Sequence, residues 1–284
     1  MKIPKRLLPL LEDGLVDEVQ RQLLSGKEAT VYVVRCGDEL RCAKVYKDVA
    51  QRSFKQAVEY REGRKGRNSR RSRAMEKGSR FGRQQQEASW HNAEVDALYK
   101  LAAADVRVPQ PYGCIDGVLL MELVTAEDGD VAPRLNDIEL APEIAREGHG
   151  LMMRYAVRML CAGLVHGDLS EFNVLMDDVG PVIIDLPQAV DAAANNHAKS
   201  MFLRDVNNMT RYYGQFAPEL LSTDYANEIW ALYEAGELTP ESVLTGQFEQ
   251  TLEAADVGSV LHEISAAFEE EQERLQRISD ADED

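Results

Sequence analysis

Leu164–Val190 reads LVHGDLSEFNVLMDDVGPVIIDLPQAV, and it sets three chemistry-bearing side chains on what patterns as a single hairpin. His166-Gly167-Asp168 follows the apolar Leu164-Val165. Asn173 comes five residues after Asp168 in an apolar run, and after a turn the strand-like Val182-Ile183-Ile184 ends in Asp185. Phosphoryl transfer asks little covalent chemistry of a protein. It needs a carboxylate beside the attacking oxygen and ligands that hold a divalent metal against the phosphates. Asp168 would supply the first, and Asn173 with Asp185 the second.

The string H-x-D followed by N five residues after the Asp, and then by a strand-terminal Asp, resembles the catalytic loop and metal-binding Asp of the protein-kinase superfamily. Within it, His166-Gly167-Asp168-Leu169-Ser170-Glu171-Phe172-Asn173 and Ile183-Ile184-Asp185-Leu186-Pro187-Gln188 look most like the RIO family of atypical serine/threonine kinases. In that family a Ser-Glu pair precedes the aromatic and Asn, and the usual Phe-Gly after the metal Asp is absent. The resemblance implies an α+β, two-lobed protein-kinase-like fold. Its N-lobe, over residues 1–121, would be an antiparallel sheet with one main helix, and its C-lobe, over 122–284, would be mostly helical. It also implies ATP with Mg²⁺ or Mn²⁺ in the cleft, a protein substrate or the chain itself as phosphate acceptor, and a transient phosphate on Asp185 linked to ATP hydrolysis.

Upstream, residues 1–19 read as a helical lead-in with Leu7, Leu8, Leu11, Leu15 and Val19 at helical spacing. From Gln20 the period changes to two. Gln20–Ser25, Thr30–Cys36 and Leu40–Tyr46 read as three strands of an antiparallel meander. The first turn, Ser25-Gly26-Lys27-Glu28-Ala29-Thr30-Val31-Tyr32, puts small residues before a valine, as a backbone that approaches phosphate oxygens requires. It is not a Walker A motif, because Glu28 follows Gly26-Lys27 where Ser or Thr is needed. The string is similar to the RIO family's own loop, and that similarity assigns Ser25, Gly26, Lys27, Glu28, Ala29 and Val31 to the nucleotide. Lys44, on the third strand in Cys42-Ala43-Lys44-Val45-Tyr46, stands where kinases carry the lysine that clasps phosphates. Its acidic partner is expected on the next helix, where Trp90, Val95, Leu98 and Leu101 form an apolar stripe carrying Glu87, Glu94 and Asp96. The resemblance selects Glu94. A strand pair over Tyr112–Cys114 and Val118–Met121 then leads to Met121-Glu122-Leu123-Val124, a hinge in which Met121, Glu122 and Val124 would meet the adenine edge.

Ala141–Ala162 reads as a strong amphipathic helix, stopped by Gly163, that packs under the catalytic loop. His197–Tyr213 reads as another, with Phe202, Val206, Met209 and Tyr213 inward and Asp205 placed to brace that loop by hydrogen bonds. Asp168 is expected to be kept ionised by the metal and Lys44. Gly167 stands where many regulated kinases carry Arg, so no cation is expected beside Asp168 to receive a phosphorylated loop. Ala217-Pro218-Glu219 reads as a chance likeness to the end of an activation segment.

The net charge of −17 is unevenly spread. Residues 51–89 hold twelve Lys or Arg against Glu59, Glu62, Glu76 and Glu87, so this insertion carries +8 and the remainder −25. Its Arg/Gly/Ser composition buries too little apolar surface to order itself, and its arginines suit RNA, a ribosomal particle or an acidic partner. Cys36, Cys42, Cys114 and Cys161 are scattered without metal-ligand spacing and suit a reducing compartment. With no signal-like N-terminus and no long apolar run, a cytoplasmic location without membrane contact is expected. Two other functions fit the same motifs. One is a small-molecule phosphotransferase of the aminoglycoside or choline type. The other is an ATP-switched ribosome-assembly or RNA-binding factor with slow turnover.

Overall fold

A computed structural model describes residues 3–26, 29–47 and 93–248. Lys27, Glu28, the basic insertion over 51–89, Trp90 and the acidic C-terminal residues lie outside them. Among the described residues, five strands form one antiparallel sheet in the order β1-β2-β3-β5-β4. These are β1 (Glu18–Ser25), β2 (Ala29–Cys36), β3 (Glu39–Tyr46), β4 (Pro111–Ile115) and β5 (Val118–Glu122).

Period-two alternation splits this sheet into two buried faces. Tyr32, Val34, Ala43, Val45, Val118 and Leu120 pack with Leu7, Leu10 and Val16 of the N-terminal segment. The residues between them, Tyr46 and Leu119, turn to the opposite face and join Leu98 and Leu101 of the helix over 93–103 (α2). Lys44 lies between Ala43 and Val45 on β3, so the same alternation aims it at α2. Asp116-Gly117 joins β4 to β5 with both residues at positive φ, +50° and +76°, as a two-residue hairpin turn matched to strand twist requires.

The lead-in helix over 1–19 is not what forms. A 3₁₀ turn over Lys5–Leu7 runs into a short helix, Leu8–Glu12 (α1), and the strand already begins at Glu18. Gly14 at φ +71° ends the helical path, and Asp17 N–H donates to the Arg35 carbonyl to start the ladder. The buried set is therefore Leu7, Leu10 and Val16, while Leu8 and Leu15 are exposed and Val19 belongs to β1. Full burial of Leu7 and Leu10 contributes roughly 1.5–3 kcal/mol each.

The C-terminal part is helical. Pro142–Cys161 (α3), Ala198–Tyr213 (α4) and Tyr225–Glu234 (α5) pack together, with short hairpins between α3 and α4. Gly163 at φ +74° follows α3 and supplies the turn that ends it. Gly148 marks the close crossing of α3 and α4: a Cβ there would lie 2.9 Å from the Tyr213 ring. Next to it, His149 is 2% exposed, hydrogen-bonded through Nε2 to Thr210 Oγ1 at 3.0 Å and flanked by the Tyr213 and Tyr225 rings.

Burial lowers the His149 pKa to about 4. Between that value and the ordinary 6.5, the unfolded chain binds a proton that the folded chain refuses, so stability falls as pH drops through this window. His149→Gln, which keeps a hydrogen-bonding group for Thr210, is expected to reduce the stability lost between pH 7 and pH 4.5 by about 2 kcal/mol. Urea denaturation at the two pH values measures it.

Among the described residues, no helix is long and apolar enough to cross a membrane.

Candidate active site

Strand β6 (Leu164–Val165) leads into the His166-Gly167-Asp168 loop, and the hairpin of β7 (Val174–Asp177) and β8 (Gly180–Ile183) that follows pairs Val174 with Ile183, the next rung being Ile184 N–H to the Asn173 carbonyl at 3.0 Å. This register sets Asn173 and Asp185 at the same end of the hairpin. Arg107 ties that hairpin to the chain entering β4. Its guanidinium bridges Asp177 in a double contact, and its carbonyl accepts Ile183 N–H at 2.9 Å.

Asp185 has φ +66°, a left-handed conformation that a side-chain-bearing residue rarely adopts. His166 helps hold it. The ring accepts Asp168 N–H at Nδ1 (3.3 Å), so Nε2 carries the proton and donates to the Ile184 carbonyl at 3.1 Å. Gly167 at φ +82° also sits where glycine is favoured, which gives a local reason for Gly rather than Arg here.

Asp205 of α4 braces the loop from beneath. Its Oδ2 accepts Gly167 N–H at 2.7 Å and its Oδ1 accepts Leu169 N–H at 3.1 Å. Asn208, one turn along α4, donates to the Leu169 carbonyl at 3.1 Å. Burial raises the Asp205 pKa to about 6 against the pull of His166 and the two N–H donors.

Two expectations about Asp168 are corrected here. A cation does stand near it: Arg204 of α4 donates to the Gly167 carbonyl. Burial raises the Asp168 pKa, and His166 first and then Arg204 oppose that rise; Lys44 is not among the groups that lower it. Helix periodicity explains why Gly167 alone misled: Arg204 and Asp205 are neighbours on α4, reaching one loop from a distant stretch.

Lys44 joins the two halves. Its Nζ is 2.6 Å from Glu94 Oε1 and 2.7 Å from Asp185 Oδ1. Tyr46 donates its hydroxyl to the other Glu94 oxygen. Lys44 and Glu94 are buried, at 8% and 3% exposure, whereas Asp185 is exposed at its mouth. Burial alone would lower the Lys44 pKa, but Glu94 and Asp185 outweigh it and hold the ammonium charged. Burial pushes the Asp185 pKa up, yet Lys44 brings it below the usual carboxylate value.

Residues 30–226, most of the chain, match the sequence profile of the RIO domain. The chain belongs to the RIO domain family. The RIO-type serine/threonine-protein kinase Rio1 of Haloferax volcanii is 35% identical over 206 residues, covering 72% of this chain and 66% of that protein. Serine/threonine-protein kinase rio1 of Schizosaccharomyces pombe is 32% identical over 225 residues, covering 76% and 42%. Serine/threonine-protein kinase RIO1 of Homo sapiens is 31% identical over 213 residues, covering 73% and 35%. The chain thus spans between a third and two thirds of the length of these relatives.

In this RIO domain the remaining expected residues fall as follows. Ser25 and Gly26 close the β1–β2 turn, with Gly26 N–H on the Ala29 carbonyl at 2.9 Å; Ala29 is buried and Val31 half-buried on β2. Lys27 and Glu28 are outside the described residues. Met121 and Glu122 end β5, and the Glu122 carboxylate accepts Gln110 N–H at 3.0 Å. Val124 is buried, its carbonyl accepts Ala132 N–H at 3.0 Å, and its own N–H has no acceptor among the described residues.

Four further side chains touch the site. Tyr46 and Arg204 are described above. Lys47 donates to the Gly26 carbonyl at 2.6 Å and to Ser25 Oγ at 3.2 Å. Gln188 Nε2 lies 3.4 Å from Asp168 Oδ2. Only Tyr46 carried a sequence signal, since it alternates with Lys44 on one face of β3. The donor set near Asp185 fits a hard divalent cation. The Asn173 amide nitrogen is occupied by the Asp168 carbonyl at 2.8 Å, which leaves the amide oxygen as its free donor atom at the end of the hairpin that also carries Asp185, an oxygen set.

Proposed function

We propose that this RIO domain is an ATP-dependent phosphotransferase, moving the γ-phosphoryl group to a protein hydroxyl, on a substrate or on the chain itself, or to water. The observation that carries this reading is the ammonium of Lys44 held between Glu94 and Asp185. One buried cation, anchored on one side and facing a half-open carboxylate on the other, is a grip for the α and β phosphates at the boundary of the two lobes, near residues 121 and 122.

Glu94, fixed by Tyr46, keeps Lys44 aimed when the phosphates take the place of Asp185 on its ammonium. Asp168 orients the attacking hydroxyl and takes its proton; burial raises its proton affinity toward that task. Val124 N–H, and the backbone of Met121 and Glu122 before it, meet the adenine edge, while Ser25, Gly26, Ala29 and Val31, with Lys27 and Glu28, cover the phosphates. Asn173 through its amide oxygen and Asp185 through its carboxylate would hold Mg²⁺ or Mn²⁺. When bound, the ion neutralises charge on the phosphates.

A second reading has its own support. Lys44 keeps Asp185 ionised, which also suits it to accept phosphate as an aspartyl-phosphate. The basic insertion over 51–89 is the place for RNA or a ribosomal particle to bind.

Calorimetry with Mg-ATP, followed by γ-³²P transfer in the presence of a serine peptide, an aminoglycoside and choline, tests the reading. Label on the peptide or on the chain, with a competing rate of free phosphate release, is expected. Absence of binding heat sinks it, transfer mainly to the small molecules replaces it with the small-molecule phosphotransferase, and binding without turnover leaves the nucleotide-switched assembly factor. Hydroxylamine-labile label identifies the aspartyl-phosphate.

A further inference from the structure

After Val124 the chain turns back and lays a short extended segment beside the β7–β8 hairpin. Thr125 is bridged to Val131, Ala132 N–H donates to the Val124 carbonyl at 3.0 Å, and Met176 N–H donates to the Pro133 carbonyl at 2.9 Å. Arg134, extended at φ −71° and ψ 149°, is then bridged to Leu175, and Leu175 in turn faces Val182 on β8. Residues directly opposite one another in antiparallel pairing put their side chains on the same side, so Arg134, Leu175 and Val182 form one row. Ala132, two residues back along the extended chain, shares that side and packs with Val124, Val182 and Leu175. Asn173, two residues before Leu175, carries the same side toward Asp185. The row runs from Val124 to the candidate metal ligands.

Arg134 is half-buried in this row, and its guanidinium makes no hydrogen bond or ion pair among the described residues. Other arginines around the hairpin and the loop are committed, Arg107 to Asp177 and Arg204 to the Gly167 carbonyl. Five N–H donors drawn partly out of water suit an anion with several acceptor oxygens. Asp185 already responds to this charge: burial raises its pKa, and Lys44 first, with Arg134 to a smaller degree, brings it down. Two cations thus bear on Asp185, Lys44 from the sheet and Arg134 from beside β7.

We infer that Arg134 is a second cationic grip on the nucleotide, taking phosphate oxygens from the β7 side while Lys44 takes them from the sheet. The inference rests on the proposed function and adds a binding residue to it. A triphosphate carries more negative charge than one divalent ion and one ammonium balance, and Glu94 already claims part of that ammonium. The competing use for the Arg134 charge is Asp137 or Glu171, in the 3₁₀ turns Leu135–Asp137 and Glu171–Asn173 that pack together next to it.

Arg134→Gln in the full chain removes the charge and keeps a polar side chain. Calorimetry is expected to show Mg-ATP affinity about tenfold lower, with adenosine affinity within about twofold of the wild type. Arg134→Lys keeps the charge without the planar fork. It is expected to lose about threefold for Mg-ATP, and it carries the test if the glutamine variant does not fold. The urea midpoints of all three proteins are expected to coincide.

Equal losses for adenosine and Mg-ATP would make Arg134 a contact of the base or ribose. A lowered urea midpoint with unaltered Mg-ATP affinity would make it the partner of Asp137 or Glu171, and a raised KM for a serine peptide alone would assign it to the acceptor. Each of these overturns the inference. A wild-type chain that binds no Mg-ATP overturns the proposed function and the inference with it. Equal Mg-ATP binding by the wild type and by both variants leaves the proposed function standing and removes only Arg134.

Discussion

Asp168→Asn is expected to lower phosphoryl transfer, to any acceptor, by roughly 10²–10⁴-fold with little change in nucleotide affinity. The substitution keeps the shape of the side chain and removes its capacity to take a proton. The loop does not depend on that carboxylate for its form. Asp168 is held through its backbone, with N–H on His166 Nδ1 and carbonyl under the Asn173 amide, while Asp205 fixes Gly167 and Leu169 on either side. Because burial raises the Asp168 pKa, the ionised form is disfavoured in the fold, and a neutral amide there should leave stability equal or slightly higher. Single-turnover kinetics with calorimetry and urea denaturation separate these effects. A rate within tenfold of the wild type would remove Asp168 from the chemistry. A stability loss as large as the effect on rate would make it a structural residue.

What the sequence disclosed, and what it withheld, follows from how far apart the interacting residues lie along the chain. Asn173 and Asp185 were legible as a pair because they flank one hairpin, where short-range register sets them at the same end, and Asp168 lies only five residues before Asn173. The antiparallel sheet was legible from its alternation, and α3 and α4 from theirs, nearly to the residue. The N-terminal segment was misread because leucines at helical spacing continue across Gly14, and spacing alone does not register a glycine that leaves the helical path. Asp205 was anticipated as a brace. Its neighbour Arg204 was not, because a half-exposed arginine on an amphipathic helix looks like any solvated charge until the loop it reaches is in place. Lys47 and Gln188 were hidden for the same reason: each contact joins a side chain to a turn more than fifteen residues away.

Lys44→Met is expected to destabilise the fold by about 3–5 kcal/mol and to weaken nucleotide binding roughly 10–100-fold, through two separable causes. The stability loss comes from Glu94. It is 3% exposed and its charge is balanced by Lys44, so removing the ammonium strands a carboxylate in the interior with the Tyr46 hydroxyl as its remaining donor among the described residues. The binding loss comes from the missing cation opposite Asp185. Adding Glu94→Gln should divide the two. The amide still accepts from Tyr46 but is uncharged, so the double variant is expected to recover at least half of the lost stability and none of the nucleotide affinity. Urea denaturation and calorimetry on the wild type, both single variants and the double variant form a complete cycle. A Lys44→Met protein as stable as the wild type would mean that Glu94 is hydrated rather than buried. Restored affinity in the double variant would show that Lys44 serves the architecture alone, and the phosphate grip would have to be sought elsewhere, with Lys47 at the Ser25-Gly26 turn the nearest candidate.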